Sequence, residues 1–440
     1  MRPALPCDLL VTADVMLTQD DERRVVDDAA VAVTAGRIAA LGSRGQLSGF
    51  IPAQTLHLGR ALLMPGLINA HTHVAMTFFR GLADDLPLMQ WLMQYIFPRE
   101  KRLTADIVEL GALLGCAEMI RTGTTAFLDM YLIEDAVTSA VDASGLRCVA
   151  GEGIFAFPSP AYGTAEEGLA LVEAQTRRWQ GHSRIRTAIT PHTVFTTTPR
   201  ILEDCRDLAR KLGLPLHMHL AETPEETDTC LATHGKRPLA YCRELDLIGP
   251  DVTFAHVVDV TEEELDMLAA NGVRVVHNPK SNMKLASGVA PVAGMVARGM
   301  LPGLGTDGAA SNNSLNMFGE MSACALLHKV YSRDPTVLPA RTVLDLATRG
   351  GAASMGWPEL GRLITGGPAD MLALDLCSPN FQPLHDLTSH LVYAASGYEL
   401  RLSMVEGNIL YHDGRWMTLD YPLLLSETRK LKQWVQDNAL

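Results

Sequence analysis

The sequence predicts an α/β chain: a (β/α)8 TIM-type barrel with a small β-sandwich domain formed by both termini. Three observations predict it. Between residues 61 and 360, eight short apolar runs alternate with longer helical patterns. Most of those runs end, on their carboxyl side, in an ionisable or metal-binding side chain. Residues 1–60 and 361–440 share a β-rich, turn-punctuated style that the middle lacks.

The bulk numbers permit this reading. A chain of 440 residues is long enough for one large domain and a smaller one. Hydrophobic residues make up 47% and charged residues 20%, as in ordinary globular proteins. The formal charge is −13, from 37 basic and 50 acidic residues, and no Lys/Arg run would track a phosphate backbone. Nucleic acid is therefore excluded as a partner. The longest apolar stretches fall short of a membrane span. The opening MRPALPCDLLVTAD lacks the layout of a signal peptide. None of the eight cysteines (Cys7, Cys116, Cys148, Cys205, Cys230, Cys242, Cys324 and Cys377) forms a C-x-x-C pair. They read as free thiols of a reducing compartment, which makes the expected location cytoplasmic.

The elements follow in order. DLLVTADVMLTQD and AAVAVTAGRIAALG carry short β-branched runs broken by Gly and Asp, and ADMLALDL and SMVEGNILYHDGRWM repeat that style near the far end. From about Ser426 the pattern reads as an amphipathic helix. The eight barrel runs are LLMPGLINAHTH, TTAFLDM, RCVAGEG, IRTAITPH, LPLHMHL, VTFAHV, RVVHNP and MLPGLGTD. TADIVELGALLGCAEMIRTG is typical of what lies between them, with Thr104 placed to start a helix and Gly123 to end it. An open doubly wound sheet is disfavoured because no G-x-G-x-x-G follows any of these strands.

The run ends supply His71 and His73, Asp129, Glu152, His192, His217 and His219, His256, His277, and Asp307. In a barrel those ends converge on one face. His71 and His73 lie two apart on a strand and so share a side. His219, nearer its strand end than His217, is the third candidate ligand, and Asp307 is the anionic fourth. Three imidazoles and one carboxylate suit one divalent metal, zinc first and iron second. Such an ion lowers the pKa of water toward neutrality. Proton handling falls to Glu222, just after the third ligand, and to His256, with Asp307 also able to accept a proton.

PGLINAHTH, HMHLAET, FAHV, SNMKLASG and GTDGAASNN together resemble the amidohydrolase superfamily, and within it the aminohydrolase branch. RGLADDLPLMQWLMQYIFPRE is similar to the 5′-methylthioadenosine/S-adenosylhomocysteine deaminases. The resemblance implies that Trp91 packs near a purine, that Glu100 binds ribose hydroxyls and that His192 faces the nucleoside. It also implies that Ser311 supports the metal shell. The implied activity is hydrolytic deamination of a 6-aminopurine nucleoside: 5′-methylthioadenosine, adenosine or S-adenosylhomocysteine. Glu222 would protonate the ring, and His256 with Asp307 would manage the water proton. The alternative is a deaminase or chlorohydrolase of a free base or triazine. Homocysteine-accepting members use arginines after the third strand, and GEGIFAFPSPAYGTAEEG has none, which favours the two smaller nucleosides. A homo-oligomer is compatible with such a barrel, but no interface signature is visible.

Overall fold

A computed structural model describes residues 5–438. Its strands are β1 (Leu5–Leu17), β2 (Val25–Thr34), β3 (Arg37–Ser43), β4 (Phe50–His57) and β5 (Ala61–Pro65). The barrel strands are β6 (Leu67–Thr72), β7 (Thr124–Tyr131), β8 (Arg147–Ile154), β9 (Ile185–Thr187), β10 (Thr190–Pro191), β11 (Leu216–Leu220), β12 (Val252–His256), β13 (Arg274–His277) and β14 (Gly303–Leu304). The chain then adds β15 (Met371–Asp375), β16 (Leu400–Val405), β17 (Asn408–His412) and β18 (Arg415–Trp416).

Both ends of the chain build one sheet, ordered β18-β17-β16-β15-β5-β1-β2-β3, with β4 also on β1. β1 pairs with β4 along Leu5–Thr12 and with β5 at Val15–Met16. Residues 366–369 tie β3 to the turn between β16 and β17: the Ile38 N–H donates to Gly367 O at 2.9 Å, and the Gly407 N–H to Ala369 O at 3.0 Å. Val11, Val31, Leu63, Met371 and Met404 fill the space they enclose. β5 differs from expectation. It lies within the run assigned to the barrel, yet it pairs in this terminal sheet, and the chain crosses to the barrel at Gly66. A Cβ there would sit 1.8 Å from Thr125 Oγ1, so only glycine fits the crossing.

β6, β7, β8, the β9–β10 pair, β11, β12, β13 and β14 run parallel in that order. The fourth strand is interrupted at Ala188–Ile189, and a single bridge from Ile189 to Leu216 carries the sheet on to β11. The ring closes where the Asp307 N–H donates to His71 O at 3.0 Å. Ile68, Ala70, Ala126, Leu128, Val149, Ala188 and Val276 fill the interior, with Met355 and Trp357 against them. The opposite faces pack on the helices: Phe127, Cys148, Met218 and Phe254 belong to the larger outer core. Thr164, Thr198, Thr223 and Thr261 each open a helix by accepting the N–H three residues on.

The helix expected between Thr104 and Gly123 spans Ala105–Arg121, although the Thr104 hydroxyl donates to Asp106 instead of capping. The terminal helix starts earlier than Ser426. It spans Tyr421–Asp437, because the Asp420 carboxylate accepts the Leu423 N–H and Pro422 suits the first turn. Its Trp434 packs against Phe78 and Phe79, so this helix covers the barrel, while Tyr421 at its start stacks on Trp416 of β18 with ring centroids 4.0 Å apart.

Candidate metal centre and substrate cleft

The metal centre depends on a bulge. After a first shift between Leu67 and Ile68, β6 and β7 pair Asn69 with Phe127, then resume with Thr72 opposite Asp129. The extra residue puts both Ala70 and His71 across from Leu128, an interior position. Ala70 stays in the packed core while His71, and His73 two further on, face the site. On β11, Leu216, Met218 and Leu220 belong to the outer core, so His217 and His219 point inward. Ala221, His256 and Asp307, at three strand ends, adopt positive φ of 51°, 74° and 60°. Non-glycine residues hold that conformation where the surrounding structure demands it.

His71, His73, His219 and Asp307 bring one ligand atom each to within 4.8 Å of one another. His73 Nδ1 lies 2.5 Å from Met130 O, and His219 Nδ1 lies 3.0 Å from His192 O. A carbonyl only accepts, so both Nδ1 atoms carry a proton and Nε2 is the nitrogen each ring turns to the site; Asp307, 3.1 Å from His73 Nε2, raises that imidazole to about 9 against the effect of burial. Those two Nε2 atoms face each other at 3.3 Å. His71 Nε2 is buried with no hydrogen-bond partner. His71 Nδ1 bonds His217 Nε2 at 2.8 Å, so His217 orients a ligand from behind. The Asp307 carboxylate accepts from the Ser281 and Ser311 hydroxyls at 2.6 and 2.8 Å and from the Gly308 N–H at 2.9 Å. Burial opposes its ionisation, yet His71 and His73 hold it well below the usual carboxylate range. Converging imidazole nitrogens beside a stabilised carboxylate fit a divalent cation.

The residues expected from sequence to handle protons, His256 and Glu222, stand next to this group. His256 Nδ1 meets Asn282 Oδ1 at 2.8 Å, which leaves Nε2 as the acceptor, 3.7 Å from Glu222 Oε2. Glu222 also accepts from the Ser287 hydroxyl at 3.4 Å. Burial pushes its carboxyl up, favouring the protonated form. Glu226 takes the Ala221 and Glu222 N–H groups at 3.0 and 2.9 Å and so clamps the backbone that aims Glu222.

The group opens into a cleft of about 740 Å³ lined by Trp91, Glu100, Tyr131, Phe155, His192 and Glu222, among others. All of the residues singled out from sequence as substrate contacts or proton carriers line it. Trp91 is buried in an apolar wall. Burial pushes the Glu100 carboxyl up to about 7, against the pull of the Tyr131 hydroxyl. His192 stacks near Phe155 at 4.6 Å, and burial drops it to about 3, so the ring is neutral.

Three of the ionisable strand ends do not join the site. The Asp129 carboxylate accepts the Val74 N–H at 2.6 Å. Glu152 accepts the Ile133 and Glu134 N–H groups, holding the start of a helix. His277 meets His328 and Cys324 in a second buried group. Each lies on the outer face of its strand. Ser281 and Asn282 were missed as individual residues, although the motif SNMKLASG holds both.

Comparisons with known proteins place this geometry. The amidohydrolase family model matches residues 62–410. The chain belongs to the amidohydrolase family. It is 59% identical over 433 residues to a protein of Nitratidesulfovibrio vulgaris (strain DSM 19637 / Miyazaki F) named 5-methylthioadenosine/S-adenosylhomocysteine deaminase, covering 98% of each chain. It is 41% identical to a 5′-deoxyadenosine deaminase of Methanosarcina mazei, over 96% of this chain and 97% of that one. A zinc-bound adenosine deaminase structure from Xanthomonas campestris superposes with a TM-score of 0.96 at 36% identity, covering 99% and 100% of the two chains. Among the described residues no helix is long and apolar enough to cross a membrane.

Proposed function

We propose that this protein hydrolytically deaminates a 6-aminopurine nucleoside, adding water at C6 and releasing ammonia and the inosine-type product. One observation carries the reading. A single cleft is lined by His73, His219 and Asp307 of the four-ligand group, by Glu222 and His256 beside them, and by a buried carboxylate, Glu100, that a free base would leave unused. Its relatives' names agree with it.

His71, His73, His219 and Asp307 would hold one divalent ion, with zinc the first assignment because the donor set is nitrogen-rich and the Xanthomonas relative binds it. The ion would supply an acidified water. The chain's own residues do the rest. Glu222, whose carboxyl burial pushes up, donates to the ring nitrogen next to C6. His256 Nε2 and Asp307 hold the proton released by the water and return it to the departing amine. Trp91 and His192 pack on the nucleoside, and ionised Glu100 accepts from two ribose hydroxyls. Ser311 and Ser281 fix the Asp307 carboxylate. The chemistry is assigned to the barrel within 61–360, with 1–60 and 361–440 as the smaller domain. The free thiols support a cytoplasmic location.

The test is ammonia release by metal-quantified protein given 5′-methylthioadenosine, adenosine, S-adenosylhomocysteine, guanine and cytosine. Nucleoside turnover that collapses in Glu100→Ala supports the reading. Turnover of free bases alone overturns it in favour of the free-base alternative.

A further inference from the structure

Glu320 is a carboxylate that the reaction above does not use. It sits on the helix Met317–Ser332, its side chain is fully buried, and it lines no part of the cleft. Burial pushes its carboxyl up to about 7, with Lys280 pulling the other way. Holding a charge in such a place is costly, so its partners must account for it. Oε1 accepts from Asn312 Nδ2 at 2.8 Å, and Oε2 accepts the Lys280 N–H at 3.2 Å. The Lys280 ammonium lies 3.7 Å from Oε1 and is partly exposed.

These two partners stand in the chain directly beside the two serines of the metal centre. Lys280 precedes Ser281 in the short helix Pro279–Lys284, and Asn312 follows Ser311 in the short helix Ala309–Asn312. Both serine hydroxyls donate to the same oxygen, Asp307 Oδ2, at 2.6 and 2.8 Å. That leaves Oδ1 toward His71 and His73, at 3.5 and 3.1 Å from their Nε2 atoms. Asn312 Nδ2 also donates to Thr306 O at 2.6 Å, one residue before Asp307.

We propose that Glu320 is a positioning residue: by tying Lys280 to Asn312 it holds Ser281 and Ser311 at the spacing that turns Asp307 Oδ1 toward the metal. The proposal rests on the metal-centre reading above. The donors explain why a carboxylate stands here. Both oxygens meet N–H groups, whereas an amide offers one acceptor and would aim its own N–H at a donor. Apolar contacts would join a helix to two loops at least as stably. What a two-oxygen acceptor adds is a fixed distance between those loops.

The experiment loads wild type and Glu320→Gln with zinc and follows loss of the ion to a chelator, the melting temperature and nucleoside kinetics. In Glu320→Gln zinc should leave about 10- to 100-fold faster, and kcat for 5′-methylthioadenosine should fall by about the same factor. KM should hold, because Trp91 and Glu100 are untouched. In a background carrying Ser281→Ala and Ser311→Ala, Glu320→Gln should speed zinc loss by less than about threefold more. If Glu320→Gln does not fold, Asn312→Ala removes one of the two arms and carries the same test. Wild-type zinc retention and kcat with only a lowered melting temperature would overturn the proposal and make Glu320 a structural tie. So would an undiminished further loss of zinc in the serine-free background. A wild type that turns over no nucleoside would instead overturn the underlying function, and zinc release would still decide the role of Glu320.

Discussion

At the ends of two pairs of barrel elements, imidazoles meet nitrogen to nitrogen at 3.3 Å: His73 with His219, and His277 with His328. His219, His277 and His328 are buried and His73 is partly so, and each pair belongs to a cluster that offers at least three metal-ligating atoms within 4.8 Å. Their surroundings differ. Around the first, backbone carbonyls take both Nδ1 protons and turn both Nε2 atoms toward one point. Asp307 adds a negative charge, and the cleft gives access to solvent and substrate. Around the second, one ring donates to the other, the His277 Nδ1 has no partner, and burial pushes the Cys324 thiol up, away from thiolate. No carboxylate belongs to that cluster and none of the cleft's lining does either. Spacing alone does not make a metal site. Fixed tautomers, an anion and an open face do.

The sharpest way to break this comparison is to count metal. One ion per chain is expected, lost in His73→Ala and Asp307→Asn together with at least about 1,000-fold of activity. Cys324→Ala should keep the full ion content by elemental analysis. Two ions per chain, one of them lost in Cys324→Ala, would show that the second cluster is also a metal site.

Glu222→Gln comes next. It keeps the shape but cannot cycle a proton, so kcat should fall about 100- to 10,000-fold with metal content unchanged. A variant retaining wild-type kcat would remove Glu222 from proton transfer.

Glu100 tests the far end of the cleft. Replacing a charged acceptor should raise nucleoside KM about 10- to 100-fold in Glu100→Gln. The wild-type carboxyl is raised to about 7 in the folded protein, and only its ionised form accepts two hydroxyls. KM should therefore fall as pH rises through about 7, and the Gln variant should lose that dependence. An unchanged pH profile would assign the ribose to another group.

The smallest effect belongs to the second cluster. Burial lowers His328 to about 4, below the ordinary histidine value of 6.5. The unfolded chain then binds more protons between those values, so the stability this neutral ring supports is present above about pH 6.5 and fades as pH falls toward 4. His328→Gln should flatten that part of the melting-temperature profile and cost about 1–3 kcal/mol at neutral pH, with kcat nearly kept. A large loss of kcat with no change in melting would contradict a purely structural pair.

Much of the centre was legible because short-range rules placed it. His71 and His73 follow a Pro-Gly turn at strand spacing, His219 sits at a strand end, and Asp307 closes a Gly-rich run. The same rules misdirected Asp129, Glu152 and His277. Barrel strands are buried on both faces, so alternation shows that neighbouring residues point opposite ways without saying which way is inward. Gly151 and Gly153 hold the inner face of β8, which leaves Glu152 to the helix side.

The sequence by itself determined the eight strand–helix units, the ligand types and the acid that follows the third ligand. It did so because periodicity, turn residues and side-chain chemistry are local properties. Only the tertiary structure decided which strand faces line the barrel, where the bulge in β6 turns His71 inward, and that β5 joins the terminal sheet. Those outcomes depend on which surfaces pack against one another across the chain.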